Sequence, residues 1–251
     1  MSGTGSRLLR LVLAAIVGFL VVGCGAGGTP APGQTVSFTP LPYGPPGVAA
    51  TATVPGGTTP IPGWTEYSQP EDGFAIALPG SWRKINPDPA SLANVIQMLR
   101  QQNPELAELV ESASRRLQTS DIHFIAFDMS AESVSSGFLT NLNVLHRSLE
   151  GGITLESFGD ANVQELERLT DLSTPIERQD VQWPAGPALC LRYTVGLDTP
   201  GGHRADLSLT QFLFVQGHDG YVLTFATTPG QLERYRPVFE QIGRTFRLLG
   251  D

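Results

Sequence analysis

Apolar and polar residues alternate along the C-terminal half of the chain, and this period of two predicts β-strands. The segments "PALCLRYTVGL" (187–197) and "ADLSLTQFLFVQ" (205–216) carry the pattern. Their predicted core-facing residues are Leu189, Leu191, Tyr193, Val195, Leu207, Leu209, Leu213 and Val215. The turn sequence "GHDG" then leads into "YVLTFATT", so the second and third strands should form a hairpin.

Shorter apolar segments predict further strands nearer the N-terminus. In "DGFAIALPGSW", the residues Phe74, Ile76 and Leu78 share one face before a Pro-Gly turn. The segments "DIHFIAFDM" (121–129) and "NLNVLHRSL" (141–149) are also strand-like, and a serine-rich loop separates them.

A period of 3.6 predicts helices at three places. Two stripes over 88–118 predict a helical hairpin, formed by Leu92, Val95, Ile96 and Leu99, and by Leu106, Leu109, Val110, Ala113 and Leu117. A helix over 160–171 should bury Val163, Leu166 and Leu169. A final helix should bury Leu232, Phe239 and Ile242, with Pro237 breaking it or starting its main part. Hairpin-joined strands with helices between groups favour an antiparallel α+β fold over a doubly wound parallel sheet.

The N-terminus has the pattern of an export signal. Arg7 and Arg10 precede an apolar run from Leu11 to Val22. A helix of that length rises about 18 Å, which is shorter than the roughly 30 Å hydrocarbon core of a bilayer. Residues 1–23 are therefore interpreted as a signal peptide, and a membrane span is the less favoured alternative.

The end of this segment, Val21-Val22-Gly23-Cys24, resembles the lipobox of bacterial lipoproteins. The resemblance implies cleavage before Cys24, a diacylglyceryl group on its sulfur and acylation of the new amine. Two or more acyl chains anchor a protein stably, whereas one holds it only marginally. The expected location is the extracytoplasmic face of the cell membrane, and a chance cysteine is the alternative.

The segment after Cys24 carries no charge as far as Gly63 and is rich in proline, glycine and threonine. Such a composition cannot bury enough apolar surface to offset the entropy of ordering, which predicts disorder. Residues 24–63 are thus interpreted as the lipidated cysteine and a tether, and residues 64–251 as one globular domain.

Short motifs in this domain resemble the PsbP/LpqN-like family. They are "DGFAIALPGSW", "IAFD", "NLNVL" and "GYVLTFATTPGQLERYRPVFEQIGRTFRL". The resemblance implies an α-β-α sandwich around an antiparallel sheet, also seen in the Ran-binding Mog-type proteins, here with the helical hairpin inserted. It also implies an accessory or interaction protein of the PsbP or LpqN kind, and it supplies no catalytic residue.

The charge balance limits the class of partner. The formal net charge is −8, and Lys84 is the single lysine among 16 basic residues. Binding to the phosphate backbone requires a basic surface, so nucleic acid is not an expected partner.

The histidines do not form a sequence motif for a metal or a catalytic set. None is spaced from another like a metal pair, and the HExxH, CxxC, P-loop and GxSxG patterns are missing. His123 and His146 fall in predicted strands, where a structural role is favoured over a ligand role. His203 and His218 fall in predicted exposed loops, and Asp219 is interpreted as a turn residue in preference to a dyad partner of His218.

Other candidate residues are favoured as structural. Cys190 lies in an apolar strand and should be buried and inert. The acidic pairs Glu71-Asp72 and Glu165/Glu167 are interpreted as turn and helix-surface charges. The three tryptophans, Trp64, Trp82 and Trp183, fall at element edges, where they either form a binding patch or cap the core.

These observations predict a non-catalytic, lipid-anchored binding or scaffolding protein with a protein partner in the cell envelope. They predict no cofactor and no metal. A carrier of a small molecule or lipid is the alternative, and a hydrolase around His203 or His218 is the less favoured third hypothesis.

Overall fold

The structure is a computed structural model that describes residues 61–85, 122–135, 138–149, 151–169, 171–198 and 204–249. The predicted signal peptide, Cys24, the tether up to residue 60 and the helical hairpin over 88–118 lie outside these ranges. The strands are β1 (Trp64–Gln69), β2 (Phe74–Pro79), β3 (Trp82–Ile85), β4 (Ile122–Asp128), β5 (Asn141–Ser148), β6 (Glu177–Trp183), β7 (Gly186–Asp198), β8 (Arg204–Gln216), β9 (Asp219–Thr227) and β10 (Arg247–Leu248). The α-helices are α1 (Ala131–Ser135), α2 (Leu155–Leu169) and α3 (Leu232–Thr245).

The strands form two antiparallel sheets. The larger has seven strands in the order β3-β4-β5-β9-β8-β7-β6, and the smaller has three in the order β1-β2-β10. Every described strand pair is antiparallel. The β8–β9 hairpin turns at Gly217-His218, as the sequence predicts. The α+β class with a mainly antiparallel sheet is therefore confirmed.

Both faces of the seven-stranded sheet are buried. On one face, Phe212, Phe214 and Phe225 pack with β2 and α3 in a first core. On the other face, Leu191 and Leu209 belong to a second core that includes Leu166 of α2. The alternation in β7 and β8 places successive residues in different cores. The predicted burial of Phe74, Ile76, Leu78, Phe239, Ile242 and Leu166 is confirmed.

Four strands were not predicted from the sequence. The strands β1 and β6 carry mostly polar residues, because one side of each is exposed at a sheet edge. The strands β3 and β10 have only four and two residues, which is too short for a periodic pattern. The result is a small second sheet on one face of the predicted sandwich.

The predicted helix boundaries need two corrections. Helix α2 begins at Leu155, before the predicted start at residue 160, because Thr154 and Ser157 exchange backbone-to-side-chain hydrogen bonds of 3.1 Å like a capping box. Helix α3 continues through Pro237 instead of breaking there. The carbonyl that Pro237 leaves unpaired belongs to Glu233, on the exposed side of the helix where water can satisfy it.

No α-helix among the described residues combines the length and hydropathy needed to cross a membrane.

The packing of α3 on the larger sheet depends on a glycine. A Cβ atom at Gly243 would lie 2.2 Å and 2.4 Å from two ring atoms of Trp183 and 3.3 Å from Phe212. The Trp183 ring lies 4.3 Å from the Phe212 ring, centroid to centroid, so it has no room to retreat into the core. The absence of a side chain at Gly243 allows the helix to contact the indole directly.

We expect Gly243→Ala to lower the free energy of unfolding by about 1–3 kcal/mol, since overpacking outweighs the better helix propensity of alanine. Urea unfolding followed by tryptophan fluorescence measures the change. Gly230→Ala is the matched control, because a Cβ atom at Gly230 meets nothing within 4 Å. Equal stability of both variants would contradict the close contact between Gly243 and Trp183.

Candidate functional site: a histidine–aspartate cluster

A β-bulge brings two histidines together on the sheet. The register between β4 and β5 shifts between Ile122 and Phe124, so His123 is the extra residue. Bulges redirect side chains, and His123 here lies on the same face as His146 of β5. The two imidazole centroids are 5.6 Å apart.

The third member of the cluster comes from the turn between β1 and β2. Asp72 ends a 3₁₀ turn (Pro70–Asp72), and Gly73 follows with φ of 71°. A side chain at Gly73 would be strained in this left-handed conformation, and its Cβ would lie 2.8 Å from the Tyr221 hydroxyl. That hydroxyl donates a 3.1 Å hydrogen bond to the carbonyl of Asp72, which fixes the turn over the larger sheet.

The carboxylates pair with the imidazoles one to one. Asp72 Oδ1 lies 2.5 Å from His123 Nδ1, and Asp219 Oδ1 lies 2.8 Å from His146 Nε2. The His146 ring also stacks on Tyr221, with centroids 4.7 Å apart and planes 7° from parallel. We call Asp72, His123, His146 and Asp219 the histidine–aspartate cluster.

The cluster lies at the rim of the first core, between water and the protein interior. The Asp72 side chain is 11% exposed and the His146 side chain 19%, whereas His123 is 36% exposed. Burial, with the nearby carboxylates of Asp219 and Asp72, raises the pKa of Tyr221 to about 12. The phenol therefore stays protonated and remains a hydrogen-bond donor at neutral pH.

A lysine on β3 adds a positive charge nearby. Burial lowers the pKa of Lys84, and the carboxylates of Glu71 and Asp72 act in the opposite direction. The Lys84 ammonium donates a 2.9 Å hydrogen bond to Gln69 and lies 5.4 Å from the centroid of the Phe124 ring. Asp72 lies in a turn, as predicted, and its carboxylate is buried near several cationic or titratable groups.

The cluster has the donor types of a metal site. One potential ligand atom from each of Asp72, His123 and His146 lies within 4.8 Å of the other two. Imidazole and carboxylate donors suit zinc and other divalent transition metals. The three residues come from separate elements, so their spacing in the sequence does not indicate a metal site. The site becomes visible only when the register of the strands is known.

The other predicted histidine sites have mixed outcomes. His218 is exposed in the β8–β9 turn, as predicted, and His203 lies outside the described residues. Asp219 pairs with His146, a residue far away in the sequence. The side chain of Asp219 therefore joins β9 to β5, a contact that neither its interpretation as a turn residue nor the less favoured dyad with His218 includes.

The tryptophans mostly belong to the core. Trp82 is 2% exposed and Trp183 is 8% exposed, and both are members of the first core. Trp64 is half-buried and packs against the same core. The binding patch suggested for these three residues is not supported for Trp82 and Trp183, because rings buried this deeply offer almost no surface to a partner.

Cys190 is fully buried on β7, as predicted. Burial raises the pKa of its thiol to about 11, so the thiol is protonated at neutral pH. A protonated, buried thiol is a poor nucleophile.

A second titratable cluster joins α3 to the end of β4. The Tyr235 hydroxyl donates a 2.5 Å hydrogen bond to Asp128, and the Ser130 amide and hydroxyl donate bonds of 3.0 Å and 2.9 Å. Burial acts to raise the pKa of Asp128, but these donors outweigh it and hold the pKa below its usual value. The cluster therefore stabilises the ionised carboxylate and the helix position.

Polar side chains also cross the sheet face that α2 covers. Asn162 donates a 2.9 Å hydrogen bond to Gln211, which donates a 3.1 Å bond to Thr224. The amide of Asn143, opposite Thr224, is buried without a hydrogen-bond partner in the described part of the chain. This row gives α2 a fixed position on an otherwise apolar face.

Comparison with known proteins assigns no function. No family model matches the chain, and no curated protein matches it. Among solved structures, cyanobacterial PsbP (CyanoP) from Synechocystis sp. PCC 6803 is similar with a TM-score of 0.44 and 14% identity, covering 76% of this chain and 96% of its own. LpqN, involved in cell envelope biogenesis of Mycobacterium tuberculosis, has a TM-score of 0.42 and 10% identity, with coverages of 74% and 91%.

A third similar structure is a protein of unknown function from Pseudomonas aeruginosa, PA94, described as a putative regulator. Its TM-score is 0.37 at 18% identity, and the match covers 43% of this chain and 72% of that one. At these TM-scores and identities the similarity assigns neither a family nor a biochemical role.

We expect Tyr235→Phe to lower the free energy of unfolding by about 1.5–3 kcal/mol at pH 7, the range for a hydrogen bond to a charged group. The Asp128 pKa is depressed in the folded state, so the bond stabilises the fold above the ordinary value of 3.8. That contribution should disappear as the pH falls below this value through the folded-state pKa. Urea unfolding at pH 7 and at pH values down to 2.5 measures both effects.

Tyr193→Phe is the matched control, because the Tyr193 hydroxyl is buried and has no hydrogen-bond partner among the described residues. Its removal should leave stability unchanged or raise it. A loss in Tyr193→Phe as large as that in Tyr235→Phe would refute the role of the bond to Asp128.

Proposed function

We propose that the chain is a lipid-anchored, non-catalytic binding protein on the extracytoplasmic face of the cell membrane. Its globular part binds a protein of the cell envelope, and an uncharged tether joins that part to the anchor. The observation that supports the lipid anchor is the sequence Val21-Val22-Gly23-Cys24, which ends a short apolar run that follows Arg7 and Arg10. A cysteine in this context is the acceptor of a thioether-linked lipid.

The position of the first strand supports the tether. Strand β1 begins at Trp64, directly after the predicted tether ends at Gly63. As a flexible coil, 39 residues span roughly 34 Å, and fully extended as polyproline they span about 120 Å. A domain on such a tether reaches partners embedded in, or standing above, the same membrane.

The chemistry of two candidate nucleophilic sites supports a role in binding. The Cys190 thiol is buried with a pKa of about 11, so it is not positioned for covalent catalysis. Asp219 is adjacent to His218 in the sequence but pairs with His146, so this carboxylate adds no support to the hydrolase hypothesis around His218. Binding through the folded surface is the function that remains best supported.

We expect wild-type protein made in a bacterium with lipoprotein-processing enzymes to partition into the detergent phase of Triton X-114. Its mature mass should correspond to a chain that begins at Cys24 and carries acyl groups. Cys24→Ala should give an unlipidated chain that keeps residues 1–23, because it removes the lipid acceptor and with it the processing that depends on this cysteine.

Cys190→Ala is the matched control, since it removes the other cysteine of the chain and should partition like the wild type. A wild-type chain of unlipidated mass, or a Cys24→Ala variant that still carries acyl groups, would refute the anchor.

We expect photo-crosslinking in intact cells to join the wild-type protein to a small, specific set of envelope proteins. A photo-reactive probe is needed because Lys84 is the single lysine for amine-reactive reagents. A variant that carries only residues 1–63 is the control for proximity at the membrane. If the wild-type protein and the variant with residues 1–63 crosslink to the same set of proteins, a binding role of the domain is contradicted.

Native mass spectrometry of the purified protein tests the carrier hypothesis. A small molecule that co-purifies with the domain would favour that hypothesis.

A further inference from the structure

Three residues from distant parts of the chain converge at the rim of the first core. Asp72 follows β1, His123 is in β4 and His146 is in β5, and one potential ligand atom of each lies within 4.8 Å of the other two. We propose that Asp72, His123 and His146 bind one divalent transition-metal ion of the zinc type, with an open coordination position toward water.

Small side-chain rotations bring the ligand atoms to the spacing that a metal requires. Zinc binds histidine nitrogen at about 2.0–2.1 Å and carboxylate oxygen at about 2.0–2.2 Å, so tetrahedral ligand atoms lie roughly 3.4 Å apart. The contact between Asp72 and His123 is 2.5 Å, and a bound ion would lie between these two groups in place of their direct contact. Small rotations about the side-chain torsions of His123, which is 36% exposed, bring the ligand atoms to bonding distance.

His146 is held in an orientation suited to a ligand. Its Nε2 lies 2.8 Å from Asp219, which leaves Nδ1 as the nitrogen for the metal. A carboxylate that accepts the second N–H of a metal-bound histidine fixes the tautomer and raises the basicity of the ring. The stacked ring of Tyr221 limits rotation of the His146 ring, and the Tyr221 hydroxyl holds the backbone of Asp72.

The net charge near the site also favours a cation. Two carboxylates, Asp72 and Asp219, contact the two imidazoles, and the chain as a whole has a net charge of −8. Lys84 opposes binding, but its ammonium donates to Gln69 and is not in contact with the imidazoles in the described structure. A divalent ion therefore meets a site with more negative than positive charge when the imidazoles are neutral.

The partial exposure of the site provides an entry path and an open position. Three protein ligands with a fourth position for water are the pattern of accessible zinc sites, whereas structural sites close all four positions with protein atoms. The metal could then be shared with a ligand atom of the partner or with a small anion. This proposal does not depend on the lipid anchor.

The test uses the full-length chain with Cys24→Ser, purified in detergent, so that no thiol at residue 24 binds metal. After treatment with a chelator and its removal, Zn²⁺ alone is titrated by isothermal calorimetry, and Co²⁺ is titrated by visible absorption. We expect one ion per chain. Asp72→Asn, His123→Ala and His146→Ala should each weaken binding by at least about tenfold.

His218→Ala is the matched control, since it removes an exposed imidazole outside the cluster and should not change the affinity. Far-UV circular dichroism checks the fold of each variant. If His146→Ala does not fold, then Asp72→Asn and His123→Ala decide the outcome, because the first conserves size and the second changes a partly exposed residue. Absence of binding up to millimolar Zn²⁺, or equal affinity in Asp72→Asn, His123→Ala and the unsubstituted site, would overturn the proposal.

Discussion

The burial of both faces of the seven-stranded sheet is the constraint on which the rest of the fold depends. Strand β9 is at the centre of this sheet, and eight of its nine residues are buried. A sheet of this kind requires an apolar cover on each side, since an uncovered face would leave large aromatic and aliphatic side chains in water. Helix α2 provides one cover, and α3 with the small sheet provides the other.

The histidine–aspartate cluster is a consequence of how the second cover is attached. The small sheet is joined to the larger one by the Tyr221 hydroxyl at the Asp72 carbonyl, and Leu249 bonds to Gly73 at the same turn with a distance of 2.8 Å. These bonds place the Asp72 carboxylate above the ends of β4 and β5, where His123 and His146 lie. The turn lies over the larger sheet because the small sheet covers an apolar face there. The carboxylate of Asp72 then gives this turn its chemical function in the cluster.

The sequence predicted the parts of the fold that carry a strong period. In β7 and β8 the alternation between Leu191 and Arg192, or between Leu209 and Thr210, defines the faces without any tertiary information. Of the small sheet, only β2 was predicted from the sequence. Strand β10 has only two residues, and one side of β1 is exposed. A sequence pattern indicates a strand only when several residues alternate between buried and exposed positions. Short strands and strands at a sheet edge contain too few such residues.

The candidate site was less predictable than the fold, for a physical reason. His123 and His146 can be assigned to strands from the sequence, but strict alternation places His123 on the face opposite to Phe124. The bulge between Ile122 and Phe124 removes that alternation and brings both side chains to one face. A bulge has no reliable sequence pattern. The position of Asp72, which lies in a turn of the other sheet, depends on the complete fold. Register and tertiary packing, which the sequence does not display, therefore determine the site.

The arrangement of the cluster is difficult to explain by stability alone. Partly exposed ion pairs contribute only about 0–1 kcal/mol each, since solvent screens them. The bulge at His123 interrupts the β4–β5 ladder, and the turn at Gly73 requires a left-handed backbone. Valine or threonine at these strand positions would suit a pleated sheet at least as well. Two imidazoles and one carboxylate held together with so little gain in stability are better explained by the proposed divalent cation, which all three would bind, and the second carboxylate, Asp219, orients His146.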